Sequence, residues 1–135
     1  MIVVKSPDEI EVMRECGAIL SEMLRNVERE VKAGVSTREL DEFVSDEMRR
    51  NGVVASFKGY HGYPASVCVS INDEVVHGIP GDRVIHEGDV VSLDLGVFYK
   101  GFHTDAALTV GVGAISERAA QLIQVTRESL DEGLK

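Results

Sequence analysis

The sequence predicts an α/β fold of the α+β type, with two N-terminal helices, an antiparallel sheet that contains a hairpin, and a C-terminal helix. Three observations support this prediction. Apolar side chains recur every three to four positions in the N-terminal and C-terminal parts, as they do along one face of a helix. In the middle part, β-branched residues form short runs separated by Gly, Pro, Asn and Asp, which is typical of strands. The last two runs are separated by a very short turn, which favours an antiparallel hairpin.

The first predicted helix begins after Ser6, which stands at the N-cap position before Pro7 at N1 and Glu9 at N3. A Ser followed three residues later by Glu is a capping box, and Pro is well suited to N1. We expect Gly34 to end this helix. Its apolar face is expected to carry Ile10, Met13, Gly17, Leu20, Leu24, Val27 and Val31.

The second predicted helix repeats the same capping pattern, with Ser36 and Glu39 in the cap and N3 positions. It is expected to stop at Asn51 and Gly52, because Gly readily adopts the left-handed conformation that ends helices. Its buried side is expected to carry Leu40, Phe43, Val44 and Met48.

Four strands and a last helix complete the predicted order. The strands are expected at Val53–Phe57, Ser66–Ile71, Asp89–Val97 and Phe102–Val112. Ser116 can cap the final helix. The inner side of this helix is expected to carry Leu122, Ile123, Val125 or Thr126, Leu130 and Leu134. No internal repeat or Pro/Ser-rich linker divides the chain, so residues 1–135 are expected to form a single domain.

Composition excludes some classes of partner. The chain has 135 residues, with 14 basic and 23 acidic side chains and a formal net charge of −9. Nucleic acid and anionic membranes are therefore not expected as partners, because both require clustered Lys and Arg. Two cysteines, Cys16 and Cys68, suit a reducing compartment better than a disulfide framework, and no signal-peptide pattern begins the chain, so we expect a cytoplasmic protein.

The hairpin carries the most informative pair of residues, Asp94 and Asp105. If Tyr99 and Lys100 form its loop, the two aspartates are directly opposed; if Lys100 and Gly101 form it, they are diagonal. In both registers they point to the same face, because the shift is even. Two close carboxylates destabilise the sheet unless a cation or a shared proton compensates, so the pair is a candidate divalent-metal site. A solvated face with two independent aspartates is the alternative.

Two loops add weaker candidates. His77 lies in a loop and could act as a general acid or base, or simply be a surface residue. Tyr60 and Tyr63 stand in a Gly-rich loop and could line a pocket with Phe57 and Cys68, or pack into a turn.

Together these features resemble type I methionine aminopeptidases in content, order and spacing, over essentially the whole chain. The blocks that carry the resemblance are Phe57–Pro64, Ser66–Asn72, Val76–Pro80, Asp89–Val97 and Gly101–Ala107. The resemblance implies half of a pita-bread fold. It also implies a hydrolase that removes the initiator methionine from nascent chains with two divalent ions, such as Co, Mn, Fe or Zn. In that family the ions are held by two aspartates, one histidine and two glutamates.

By the same resemblance, Asp94 and Asp105 match the two metal-binding aspartates, the first bidentate on one ion and the second bridging. His77 matches the histidine that contacts the scissile peptide. The methionine pocket wall would comprise Phe57, Tyr60, Tyr63 and Cys68. Bacterial members commonly carry cysteine at position 57, so Phe57 would narrow the pocket there.

The remaining ligands of the family lie in a second half of the catalytic domain. After Asp105 this chain has no histidine, and its acids all fall in the terminal helix, at Glu117, Glu128, Asp131 and Glu132. The resemblance therefore implies the N-terminal half of the domain, which alone is expected to bind metal weakly or not at all and to be catalytically incomplete.

Three interpretations follow. The chain is an inactive half that associates with itself as a homodimer or with the missing C-terminal half, because a lone half exposes a sheet edge and an apolar surface. Alternatively, an active or metal-binding assembly is completed by a dimer mate or a second chain. The third interpretation is a non-catalytic module that binds peptides or proteins through the Tyr60 and Tyr63 pocket.

Overall fold

The computed structural model describes residues 3–135 and contains three α-helices and a four-stranded antiparallel sheet. In chain order the elements are α1 (Pro7–Glu30), α2 (Thr37–Asn51), β1 (Val54–Ala55), β2 (Cys68–Ile71), β3 (Val90–Tyr99), β4 (Phe102–Gly111) and α3 (Glu117–Gly133), with a short 3₁₀ turn at Tyr60–Gly62 between β1 and β2. The predicted fold class is confirmed. No helix in this described part of the chain is long and apolar enough to cross a membrane.

Helix α1 begins as predicted but ends earlier. The Ser6 hydroxyl accepts a hydrogen bond from the Glu9 amide, and the Glu9 carboxylate accepts one from the Ser6 amide. The helix stops at Glu30 because Val31 turns to an extended conformation, and Gly34, with φ of 94°, lies in the turn that follows. The prediction that Gly34 ends the helix is therefore wrong by one turn.

The buried stripe of α1 differs in part from the predicted face. It consists of Cys16, Leu20, Met23, Leu24 and Val27. Ile10, placed on the face by its spacing, is exposed, whereas Cys16 and Met23 were not predicted. The Cys16 thiol lies 3.0 Å from the Thr104 hydroxyl on β4. The buried stripe of α1 therefore faces the sheet.

Helix α2 confirms its prediction at both ends. Ser36 and Glu39 form the capping box, and Gly52 adopts the left-handed conformation after Asn51. Leu40, Val44 and Met48 are buried, and Phe43 packs partly buried against the same core.

Strand β3 is the centre of the sheet. Strand β4 pairs with one edge of β3 along its whole length, while β1 and β2 pair with the other edge. The predicted strand at Val53–Phe57 is reduced to two residues, because only Val54 and Ala55 pair with β3. The two long strands were predicted to within two residues of their observed ends.

The hairpin turn is formed by Lys100 and Gly101, so the second of the two predicted registers is the correct one. Gly96 pairs with Asp105, and Asp94 pairs with Ala107. Both turn residues have positive φ, 46° and 89°, as a two-residue type I′ turn requires. The first register would have placed the aromatic Tyr99 in such a position, which is unfavourable. Asp94 and Asp105 are therefore diagonal neighbours rather than directly opposed.

One face of the sheet forms the core against α1 and α2. The β3 residues on this face, Val91, Leu93, Leu95 and Val97, are completely buried. The opposite face is polar and carries the aspartates. The hydrophobic burial of one sheet face thus fixes which side chains remain available for a site.

Helix α3 is capped by Ser116 as predicted, but no residue in it is buried. Its predicted inner side is largely exposed, with Leu122 at 68%, Leu130 at 63% and Leu134 at 76%. The expectation that this side packs against the chain's own core is wrong: Leu122 and Leu130 border an open groove between α3 and the sheet and are not buried in the core.

Candidate metal site

Asp94 and Asp105 lie on the polar face of the β3–β4 hairpin, as the parity of the strands predicts. Asp94 is half-buried and Asp105 is exposed. The same face also carries Val90, Ser92, Phe98, His103, Ala107 and Thr109.

Asp94 carries a buried oxygen that nothing in the protein satisfies. Its Oδ1 atom is inaccessible to solvent and has no hydrogen-bond partner, the one such side-chain atom among residues 3–135. Burial raises the pKa of Asp94, and the nearby negative charge of Asp105 raises it further, while His77 opposes the rise. An unsatisfied buried carboxylate beside a second carboxylate is costly unless a cation neutralises both.

Gly96 makes room for the Asp105 carboxylate. A Cβ at this position would lie 2.9 Å from Asp105 Oδ2 and 2.8 Å from Ser56 Cβ. The Ser56 amide donates to the Gly96 carbonyl at 2.9 Å, and the Ser56 hydroxyl lies 3.0 Å from His103 Nδ1. The immediate surroundings of the Asp105 carboxylate are thus formed by Ser56, Gly96 and His103. Strand alternation predicts Gly96 and His103 on this polar face, whereas Ser56 was not predicted. A glycine inside a strand is in addition a signal of close approach.

His77 lies in the loop after β2, with an exposed side chain and a positive φ of 59°. The next residue, Gly78, is fixed to β2: its amide donates to Ser70 Oγ at 3.0 Å, and its carbonyl accepts from the Val69 amide and the Tyr63 hydroxyl, each at 3.0 Å. A Cβ at Gly78 would lie 2.2 Å from the Val69 carbonyl oxygen, so only glycine fits. The clamp fixes the backbone directly after His77.

The far end of the same loop is fixed to the start of α2. The Thr37 hydroxyl donates to the Gly81 carbonyl at 3.0 Å and accepts from the Gly81 amide at 2.8 Å. The Arg38 amide also donates to that carbonyl, and its guanidinium pairs with Asp82 at 2.9 Å. The segment with His77 is therefore held at both ends.

Cys68 is the direct neighbour of Asp94 across β2 and β3. Burial raises the pKa of the Cys68 thiol, and the charges of Asp94 and Asp105 add to the rise against a hydrogen bond with Tyr63. The thiol therefore stays protonated near neutral pH and acts as a small apolar wall rather than as a nucleophile or a soft metal ligand.

Three of the four residues predicted to line a pocket, Phe57, Tyr63 and Cys68, lie together in the structure. The Phe57 and Tyr63 rings meet edge to face, with centroids 5.4 Å apart, and Tyr63 lies beside Cys68. Burial raises the pKa of Tyr63, so its hydroxyl remains a hydrogen-bond donor. Tyr60 is 68% exposed, and its ring packs against His61 at 4.3 Å rather than against these three.

The donor set fits a divalent cation but does not enclose one. Two carboxylates, one with an orphaned oxygen, are the hard ligands that divalent ions prefer. Within residues 3–135, however, no group of three or more His, Cys, Asp or Glu side chains is arranged to hold an ion. The pair therefore supplies one side of a metal site.

Comparison with known proteins places this geometry in a family context. The family model for metallopeptidase family M24 matches residues 11–135. The chain is 48% identical to the methionine aminopeptidase of Clostridium acetobutylicum, over 100% of this chain and 54% of that relative. The chain thus spans about half the length of the curated relatives it matches.

Solved structures agree with the sequence comparison. The crystal structure of methionine aminopeptidase from Thermotoga maritima superposes with a TM-score of 0.94 at 41% identity, covering 98% of this chain and 53% of that one. The prolidase from Pyrococcus horikoshii gives a TM-score of 0.80 at 22% identity, with 96% and 36% covered, and at that identity shows the fold alone. Both likenesses correspond to half of the pita-bread fold.

Proposed function

Because the chain belongs to metallopeptidase family M24, we propose that residues 1–135 act as one domain that supplies Asp94 and Asp105 to the metal centre of a methionine aminopeptidase. The observation that carries this proposal is the buried, unpartnered Oδ1 of Asp94 beside a second carboxylate. A cation between the two would remove both the desolvation cost and the repulsion.

Asp94 and Asp105 would hold the metal from the sheet face, and oxygen donors of this kind accept Mn, Fe, Co or Zn. When bound, such an ion acts as a Lewis acid and lowers the pKa of a coordinated water. Gly96 and Ser56 keep the Asp105 carboxylate in place, since a larger residue at position 96 would displace it.

The substrate we propose is a peptide with an N-terminal methionine. Phe57, Tyr63 and the neutral thiol of Cys68 form an apolar wall beside Asp94, and aromatic rings and sulfur suit a flexible thioether side chain. Phe57 would narrow the pocket beside this wall. Tyr60 would have to turn from its exposed position to contact the methionine.

His77 would contact the scissile peptide bond. Its place next to the clamped Gly78 supports this role, because a group that meets a reacting bond must be positioned before the substrate arrives. The charge of His77 also opposes the rise in the pKa of Asp94, which supports a role for His77 beside the carboxylate pair.

Two carboxylates and one histidine do not complete a two-metal peptidase site. We propose that the missing ligands come from outside these residues, from a completing C-terminal half or from a second copy in a homodimer. A cytoplasmic location is supported by Cys16 and Cys68, which are both free and buried.

The proposal is tested by incubating the chain with the tripeptide Met-Ala-Ser and Co²⁺, Mn²⁺ or Fe²⁺ and measuring methionine release. We expect no turnover by the chain alone. Metal-dependent release that disappears in both Asp94→Ala and Asp105→Ala would instead show that a second copy completes the site. Peptide binding that is independent of metal and unchanged in both variants would contradict the proposal and favour a non-catalytic binding module.

A further inference from the structure

Tyr63 belongs to two parts of the candidate site at once. Its ring is in the apolar wall, where it meets the Phe57 ring edge to face at 5.4 Å and lies beside Cys68. Its hydroxyl lies 3.0 Å from the Gly78 carbonyl oxygen, in the loop after β2. One side chain thus joins the wall to the residue that directly follows His77.

The Tyr63 hydroxyl is shared between two carbonyl oxygens. It lies 3.1 Å from the Val67 carbonyl oxygen and 3.0 Å from that of Gly78. A phenol has a single proton to donate, so the hydroxyl and the two acceptors form a three-centre hydrogen bond. Burial raises the pKa of Tyr63, so this proton is retained at neutral pH. The hydroxyl therefore ties the start of β2 to the loop that follows the strand.

Gly78 is the point at which this loop is held beside His77. Among residues 3–135, three groups form hydrogen bonds with it: its amide donates to the Ser70 hydroxyl, and its carbonyl accepts from the Val69 amide and the Tyr63 hydroxyl, each at 3.0 Å. Ser70 and Val69 lie on β2, whereas Tyr63 belongs to the apolar wall. The wall therefore takes part in fixing the loop.

The Tyr63 side chain can transmit a contact because its backbone is fixed. The Gly59 amide donates to the Tyr63 carbonyl at 2.7 Å, and the Tyr63 amide donates to the Tyr60 carbonyl at 3.0 Å, which closes the turn before β2. A tyrosine has only two side-chain rotations, and its hydroxyl is rigidly attached to its ring. A group that packs against the ring therefore also restricts the position of the hydroxyl.

We propose that Tyr63 is a positioning residue that couples the apolar wall to His77. A methionine side chain that packs against the Tyr63 ring restricts the hydroxyl, the hydroxyl restricts the Gly78 carbonyl, and the restricted backbone fixes His77 for the scissile bond. The inference rests on the proposed function, because it takes the ligand at the wall to be methionine. Recognition of this side chain then acts on the rate at the reacting bond as well as on the affinity.

Hydrogen exchange of the chain without ligand tests the link between Tyr63 and the loop. Tyr63→Phe keeps the ring and removes the hydroxyl, so we expect the Gly78 amide to exchange about fivefold faster. Tyr99→Phe is the matched control, because Tyr99 lies on β3 beside the hairpin turn, with its ring 4.8 Å from Lys100 Nζ. It should leave exchange at Gly78 unchanged. Equal exchange in the two variants would overturn the inference, whatever a ligand does.

Titration with L-methioninamide, followed by NMR, tests the coupling itself. Glycinamide carries the same amine without a side chain and is the control ligand. We expect L-methioninamide to shift the Phe57 ring resonances in wild type and in Tyr63→Phe alike, and to shift the His77 amide resonance in wild type alone. Glycinamide should shift neither. The Phe57 response in Tyr63→Phe also shows that the wall of the variant is intact.

The Phe57 ring separates failure of the coupling from failure of the proposed substrate. A Phe57 response without a His77 response in wild type, or a His77 response that persists in Tyr63→Phe, would overturn the coupling and leave methionine binding at the wall intact. The absence of any Phe57 response in wild type would contradict methionine binding at the wall, and with it both the proposed substrate and the coupling.

Discussion

At the scale of single residues, two aspartates lie in opposite environments: Asp94 is on strand β3, and Asp89 directly precedes that strand. Asp89 accepts hydrogen bonds from the His86 amide and from the Asn72 side chain, each at 2.8 Å, which lowers its pKa. Asp94 has an unpartnered buried oxygen, and burial together with Asp105 raises its pKa. Asp89 thus stabilises the fold, whereas Asp94 is held at a cost that a ligand can remove.

Asp94→Asn is expected to raise the free energy of unfolding at pH 7 by about 1 kcal/mol in the presence of a chelator, because it removes a half-buried charge. Asp89→Asn, the matched control, is expected to lower it by a similar amount because it weakens two hydrogen bonds to a charged acceptor. Urea unfolding measures both. Equal destabilisation by the two substitutions would contradict this assignment.

The two aspartates also predict opposite pH dependence. Since the folded pKa of Asp89 is lowered, its contribution is present above the unfolded value of about 3.9 and is lost as the pH falls through the folded pKa. Since the folded pKa of Asp94 is raised, stability is lost as the pH rises through it. The advantage of Asp94→Asn over wild type should therefore grow from acid to neutral pH, and urea unfolding across that range measures it. A constant difference would count against the shift.

Gly96→Ala is expected to destabilise the chain by about 2 kcal/mol, because the new Cβ would meet Ser56 and Asp105 below 3.0 Å. Gly17→Ala is the control: it lies within α1 with no atom within 4 Å of the added Cβ, and should stabilise by about 0.5 kcal/mol. Thermal unfolding compares them. If Gly96→Ala proves as harmless as the control, the close packing around Asp105 is incorrect.

At the scale of elements, the His77 loop depends on its attachment to β2. Ser70→Ala leaves the Gly78 amide without its acceptor, so that amide should exchange with deuterium about tenfold faster. Ser45→Ala is the control, since Ser45 on α2 hydrogen-bonds Ser66 and does not touch the loop. Hydrogen exchange followed by NMR gives both rates. Unchanged exchange at Gly78 would show that the clamp does not hold the loop.

Helix starts and strand positions were predictable because their signals are local. Ser6 with Glu9 and Ser36 with Glu39 determine where two helices begin, and alternation marks β3 and β4. The end of α1 was not predictable from Gly34, because the chain turns at Val31 to reach α2. Periodicity on α3 correctly identified an apolar face, but a periodic face does not specify what covers it.

The sequence predicted the part of the candidate site that depends only on the alternation of side chains along the strands. That Asp94 and Asp105 share a face follows from an even shift, whereas their diagonal relation depends on the turn formed by Lys100 and Gly101. Gly78 and Ser70 escaped prediction because their roles arise from a contact between a strand and the loop that follows it, which no local sequence pattern indicates.

At the scale of the whole molecule, the sheet divides two functions between its faces. One face is buried against α1 and α2 and stabilises the fold, while the other presents the aspartates. The net charge of −9 includes both aspartates, so part of this charge is concentrated on the face where a cation is proposed to bind. The chain spans about half the length of its curated relatives. Residues 3–135 contain a buried core, and among them no group of three or more His, Cys, Asp or Glu side chains is arranged to hold an ion.

The measurement that tests the central claim most directly is thermal unfolding with and without millimolar Mn²⁺. We expect Mn²⁺ to raise the Tm of the wild-type chain by about 3 °C, because an ion bound by the folded state alone stabilises it. This rise should vanish in Asp94→Asn and in Asp105→Asn and persist in Asp46→Asn, an exposed carboxylate on α2. An equal rise in all four proteins would contradict the assignment of Asp94 and Asp105 as the metal-binding pair.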